Sequence, residues 1–201
     1  MYTAGVTVAL LTETPLAPPA ELGPYRRRDY EALPDEPRCE LIFGRIYVSP
    51  SRSPLHQAIL LALAHALETA AFETGGLPFV APLDTFLADH SVVQPDVLYI
   101  SAARRGILQE RIEGAPDLLV EVLSPGTARR DRGEKLLLYA QSGVREYWIV
   151  DWQRRQVEVF RRVDTALQLI ATLLEGDRLE SPLLTGFTLP VSELFAQVPR
   201  V

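Results

Sequence analysis

Lysine is nearly absent from this chain. Of its twenty basic residues nineteen are arginine, and Lys135 stands alone. Arginine is a planar fork of permanent charge, whereas lysine is a compact ammonium that approaches a single oxygen and shifts its pKa. A coding bias toward arginine explains most positions. The surviving lysine either escaped that bias by chance or marks a place where a guanidinium does not serve. Cysteine is as scarce. Cys39 is the only one, which excludes an internal disulfide and fits a reducing compartment. It lies among Pro37, Arg38 and Glu40 with no histidine beside it, so it reads as structural. The three histidines, His56, His65 and His90, have no short chelating spacing. No basic residue precedes Arg26, which argues against a secretory leader, and no apolar run approaches the length of a membrane span. A net charge of −6 excludes a global basic field for polyanions and leaves only local patches. Gly126 and Gly133 are isolated and make no phosphate-cradling loop. The expectation is a soluble cytoplasmic protein.

At 201 residues and 47% hydrophobic, the chain is long enough to bury a sizeable core in one domain. Pro15, Pro18, Pro19 and Pro24 make residues 1–24 an expected extended arm, with one domain over 25–201. Glu40–Val48 reads as a β-hairpin turning near Gly44. Ser53-Pro54 opens a helix whose apolar stripe is Ile59, Leu60, Leu63 and Leu67, and Gly75-Gly76 closes it. Phe79–Leu87 and Val92–Ile100 read as strands. Asp117–Leu123 is a third, apolar enough to be central and buried on both faces. A second helix runs from Thr127 or Ala128 to Gly143, and Glu146–Asp151 is another central strand. Gln156–Arg162 and Leu167–Leu174 form a peripheral antiparallel pair, and a short helix starts near Ser192. The order predicts an α/β or α+β fold, a mixed sheet with helices on its faces.

Two acidic residues interrupt apolar strands: Asp96 in Val93-Gln94-Pro95-Asp96-Val97 and Glu121 in Leu119-Val120-Glu121-Val122-Leu123. A carboxylate in a buried strand is costly unless it is paired or binds a metal. If the strands are neighbours, the two carboxylates converge as hard oxygen ligands suited to Mg²⁺ or Mn²⁺. The alternative for each is a structural ion pair with one of the many arginines. Asp131, Lys135 and Tyr139 fall at i, i+4 and i+8 of the second helix and share a face. Because that helix follows the Glu121 strand directly, Lys135 is placed to reach the carboxylates. Against this, an exposed Asp131–Lys135 pair is worth only about 0.2–0.5 kcal/mol and needs no catalysis.

Several motifs in order resemble the Uma2 family of putative restriction endonucleases, within the PD-(D/E)XK nuclease superfamily. They are Cys39–Gly44, Val93–Val97, Gly114–Pro125, Arg129–Lys135 and Gly143–Asp151, and the resemblance runs from about Tyr25 to about Arg162. It implies a restriction-endonuclease-like fold. It implies that Asp96 and Glu121 are metal ligands, that the Val122 carbonyl is a third, and that Glu40 supports the site through water. The superfamily lysine is missing, because Leu123 stands in its place, and its part passes to Lys135. The implied function is Mg²⁺- or Mn²⁺-dependent hydrolysis of DNA, by a homodimer if each strand is to meet its own site. Lys135 would orient or help deprotonate the attacking water. A nuclease-like fold without cleavage, serving as a nucleic-acid-binding or protein-interaction module, is the alternative.

Other residues carry weaker readings. Asp84 either joins the acidic cluster or ends a strand. His56, on the apolar face of the first long helix, reads as a buried or interface histidine rather than a ligand, although the resemblance places it not far from the hairpin bearing Glu40. Arg129, Arg130 and Arg132, with Arg104 and Arg105, are candidates for phosphate contact or simply a solvated basic face. Tyr147 and Trp148 read as core.

Overall fold

The computed structural model describes residues 21–49, 51–196 and 198–199, so most of the expected N-terminal arm lies outside the described residues. At its end, the Gly23 amide donates to the Phe43 carbonyl at 2.8 Å and Tyr25 to Gly44 at 3.1 Å, which ties this segment to the first hairpin.

The chain begins with α1 (Arg27–Glu31), then β1 (Cys39–Ile42), β2 (Arg45–Val48) and α2 (Pro54–Thr74). Next come β3 (Leu77–Val80), β4 (Thr85–Ala88), β5 (Ser91–Val93), β6 (Val97–Ile100), β7 (Ile112–Glu113) and β8 (Leu118–Val122). A helical stretch follows: α3 (Ala128–Arg130), a π turn (Asp131–Lys135) and α4 (Leu136–Ser142). The remainder is β9 (Glu146–Asp151), β10 (Gln156–Val163), β11 (Ala166–Leu174), β12 (Arg178–Glu180), β13 (Thr188–Pro190) and α5 (Val191–Leu194). One sheet has the order β11-β10-β9-β8-β6-β3, a second β2-β1-β5-β4-β7, and β12-β13 form a ribbon. The six-stranded sheet is mixed, because β8 and β9 run parallel while its other neighbours are antiparallel. The fold is the expected α+β arrangement of mixed sheets flanked by helices.

Local chemistry sets the boundaries. The β1–β2 turn has positive φ at Phe43 (51°) and Gly44 (73°), the backbone a two-residue hairpin loop needs. Ser53 caps α2 by accepting from the His56 amide at 3.2 Å, Pro54 occupies its first turn, and Gly75 ends it in the left-handed region. Two expected strands are divided. Val92–Ile100 becomes β5 in one sheet and β6 in the other, because Pro95 has no N–H to give a ladder and the Gln94 amide donates to the Glu40 side chain instead. Phe79–Leu87 becomes β3 and β4, broken around Pro82 for the same reason. The expectation that no segment reaches membrane-span length also needs correction. Within α2, Pro54–Phe72 is long and apolar enough by composition, though Ile59, Leu60, Leu63 and Leu67 are buried in the core.

β8 lies between β9 and β6, and all five of its residues are buried. Its alternation divides the core. Val120 and Val122 pack with the α2 stripe, while Leu119 packs with Leu138, Tyr139 and Tyr147. Glu121 therefore projects to the face that carries α4. Each buried aliphatic side chain contributes about 1.5–3 kcal/mol, so a glutamate here forgoes that gain and needs partners.

A separate buried carboxylate, Glu146, accepts from Trp148 Nε1 at 2.7 Å and the Ser181 hydroxyl at 2.9 Å. Burial pushes its carboxyl above the usual range despite these bonds. Such a raised group adds stability below its unfolded pKa that is lost as pH rises through its folded value. Glu146→Gln is expected to keep the Trp148 bond and flatten this loss. Thermal melts from about pH 4 to about pH 8 check it, and parallel wild-type and variant curves contradict it.

Candidate active site

Asp96 and Glu121 sit where the two-sheet crossover meets β8. β6 and β8 pair Val97 with Val120 and Leu98 with Leu119. Continuing that register by one residue puts Asp96 opposite Glu121. The Val122 amide, next to Glu121, donates to Asp96 Oδ2 at 2.8 Å. The two strands that the sequence left unassigned to neighbours are thus adjacent, and their carboxylates lie at the same end of the sheet.

Lys135 comes down onto this point from the end of the π turn. Its Nζ donates to Glu121 Oε1 at 2.8 Å and pairs with Glu40 Oε1 at 2.9 Å. Asp131 Oδ1 lies farther away, at 3.8 Å. Lys135 is only 2% exposed and Asp131 1%, so the solvated helix pair is not what the structure contains. Burial draws the ammonium's pKa down, but Glu121, Glu40 and Asp131 outweigh it and hold the group protonated. Glu121 also accepts from the Tyr139 hydroxyl at 2.7 Å. Burial, reinforced by Asp131, Asp96 and Glu40, pushes the Glu121 carboxyl well up against the pull of Lys135. Glu40 takes a second donor, the Gln94 amide, at 2.9 Å.

Asp96 has different company. Its Oδ2 lies 3.1 Å from His56 Nε2, at the first turn of α2, and its Oδ1 lies 2.9 Å from Arg52 Nη2. Burial would raise its carboxyl, but the His56 bond, Arg52 and the Val122 amide bring it below the usual range. Arg52 received no reading from sequence, and His56 was read as a buried or interface residue, with its place at the site left open. Both missed contacts cross from the loop and helix start to a distant strand, which helix spacing does not report. The nearest sequence signal was the Ser53-Pro54 cap, which fixes where α2 begins and so where His56 points.

The remaining candidates fall outside the cluster. Asp84 bonds to the Tyr30 hydroxyl at 2.7 Å and the Gln94 amide side chain at 2.8 Å, one residue removed from Glu40. Arg132 is held by Glu158 at 2.7 Å and Asp151 at 3.1 Å, and Arg105 donates to the Gly75 carbonyl at 2.6 Å. Arg104 faces Asp117 at 3.9 Å. Arg130 lies over the Tyr47 ring at 4.1 Å, and Arg129 is exposed. Of the basic set, these last two lie at the helix start and have no carboxylate ion pair among the described residues. Cys39 donates to the Pro37 carbonyl at 3.3 Å, consistent with a structural role, and Tyr147 and Trp148 are fully buried.

Among the described residues, no three His, Cys, Asp or Glu side chains form a ready-made chelating group. The physical reason is visible: Lys135 stands between Glu121 and Glu40, and Arg52 covers one oxygen of Asp96. The donor chemistry nevertheless suits a hard divalent cation. Glu40, Asp96, Glu121 and Asp131 are buried carboxylates, and only Lys135 and Arg52 oppose them as fixed cations.

The family model described as Uma2, putative restriction endonuclease, matches residues 27–192. An uncharacterized protein of Synechocystis sp. (strain ATCC 27184 / PCC 6803 / Kazusa) is 27% identical over 176 residues, covering 85% of this chain and 90% of that protein. A crystal structure of a putative nuclease belonging to DUF820 from Anabaena variabilis ATCC 29413 superposes with a TM-score of 0.73 at 21% identity. It covers 86% of this chain and 98% of that one.

Proposed function

The chain belongs to the Uma2 family, and from that premise we propose that it is a divalent-cation-dependent endonuclease that hydrolyses DNA phosphodiester bonds. The supporting observation is the buried Lys135 ammonium, 2.8 Å from Glu121 and 2.9 Å from Glu40, with Asp96 one residue before the paired register of β6 and β8. Asp96 and Glu121 are the residues that would hold Mg²⁺ or Mn²⁺, with Glu40 in support. When bound, such an ion supplies Lewis acidity toward a phosphodiester oxygen and toward water.

The chain's own residues do the rest. Lys135 provides a fixed positive charge where charge develops on the phosphorus oxygens. Its three carboxylate neighbours keep it protonated, so its part is orientation and charge rather than proton abstraction. Tyr139 fixes the rotamer of Glu121 by donating to the same oxygen as Lys135. His56 and the Val122 amide fix Asp96 by bonding its Oδ2. Arg130, stacked on Tyr47, and exposed Arg129 offer guanidinium groups for the phosphate backbone at the head of the helix.

One observation favours the second reading, a nuclease-like binding module without cleavage: Asp96 already has Arg52, His56 and the Val122 amide around it. Calorimetric titration with Mn²⁺ separates the two. The nuclease reading predicts binding by the wild-type protein that falls about tenfold or more in Asp96→Asn. The module reading predicts no binding by either protein.

A further inference from the structure

Asp131 has the fewest partners of the four buried carboxylates. It is 1% exposed, and neither of its oxygens makes a hydrogen bond. Its one ion pair is the Lys135 contact, at 3.8 Å the longest of the three that reach that ammonium. The Thr127 hydroxyl, one turn earlier, draws its pKa down without a well-formed hydrogen bond, and Lys135 draws it down further. Burial, with Glu40 and Asp96 behind it, prevails and holds the carboxyl above its ordinary range. A buried carboxylate without hydrogen bonds is expensive, and if it served only to pair Lys135 it would be redundant, because Glu121 and Glu40 make that pair at shorter distance.

The backbone singles out the same residue. Asp131 opens the π turn that Lys135 closes, and the Tyr147 hydroxyl anchors the turn by donating to the Asp131 carbonyl at 3.1 Å. Such π turns inside helices are frequently found at functional sites. Here the irregular segment is packed and anchored while the side chain it carries stays without a hydrogen bond.

We propose that Asp131 is a further ligand side chain for a divalent cation at this site, acting directly or through water alongside Asp96 and Glu121. It rests on the nuclease reading but goes beyond the acidic residues that the strand motifs supply. It would give Asp131's two oxygens, which make no hydrogen bond, an electropositive partner in addition to the Lys135 ammonium at 3.8 Å.

Asp131→Asn and Asp131→Ala test it, by calorimetric Mn²⁺ binding and by melting in chelator and in Mn²⁺. The expected result is Mn²⁺ affinity at least about tenfold weaker than wild type in both variants. In chelator both should melt close to wild type, because Asp131 makes no hydrogen bond and Lys135 keeps its closer contacts to Glu121 and Glu40. If wild type binds Mn²⁺ and both variants bind it within about twofold, the assignment is overturned and Asp131 is only a distant partner of Lys135. If wild type itself binds no Mn²⁺, the nuclease reading fails first and this assignment falls with it.

Discussion

Lys135→Ala is expected to abolish detectable cleavage and to destabilise the fold. The ammonium is wholly buried and closes contacts of 2.8 and 2.9 Å to Glu121 and Glu40. Removing one partner of a buried pair leaves the others uncompensated, at a cost of about 3–5 kcal/mol. Here two close carboxylates and Asp131 are left behind, so protonation of Glu121, already pushed upward, will absorb part of that cost. Urea denaturation in chelator measures the loss. On activity, a positioned charge of this kind contributes about 10²–10³-fold. A variant that cuts DNA like wild type, or that loses no stability, contradicts the account of Lys135.

Glu121→Gln is expected to separate the two effects. The amide oxygen still accepts from Tyr139, and Lys135 keeps Glu40, so the packing between β8 and α4 survives. Because Lys135 keeps Glu40 and burial already pushes the Glu121 carboxyl upward, stability in chelator is expected to stay within about 1 kcal/mol of wild type or rise. Cleavage is expected to fall by about 100-fold or more, because a neutral amide is a poor ligand for a hard divalent ion and no longer balances Lys135. The pair of variants is informative together. Lys135→Ala loses stability and cleavage, while Glu121→Gln loses cleavage alone. If Glu121→Gln unfolds the protein instead, Glu121 is a structural ion-pair residue and the Asp96–Glu121 site is not a catalytic one.

Much of this site was legible because it follows local rules. Glu121 stood out against an apolar central strand, and Asp131, Lys135 and Tyr139 share a helical face at four-residue spacing. Glu40 came from the family resemblance rather than from any pattern in its own strand. What spacing cannot report is contact between distant segments. Arg52 reaches Asp96 from a loop forty-odd residues upstream, and nothing in its neighbours marks it. His56 was legible as buried, but its bond to Asp96 depends on how α2 lies across the sheet. The division of Val92–Ile100 between two sheets turned on Pro95 and on the Gln94 amide, whose partner is a glutamate on another strand. The π turn was not legible either: Gly133 within Asp131–Lys135 is a weak helix former, but nothing in the spacing distinguishes a π turn from an α-helix. Arg132, left by the sequence between phosphate contact and a solvated basic face, is held by Glu158 and Asp151, contacts that helix spacing does not report.

The lone lysine also gains a narrower meaning. A guanidinium is broader than the space between Glu121 and Glu40 requires, and a compact ammonium meets both at hydrogen-bond distance. The surrounding carboxylates raise its pKa, which favours the charged form. On the proposed reading, what Lys135 supplies is a small, buried positive charge beside two carboxylates.

The most direct test is cleavage of plasmid and linear DNA by the purified protein in Mg²⁺ or Mn²⁺, with Lys135→Ala and Glu121→Gln run beside it and chelator as the control. The account predicts cation-dependent cutting by wild type that chelator stops and that both variants lose. No cutting by folded, Mn²⁺-loaded wild type, or equal cutting by all three proteins, would contradict it.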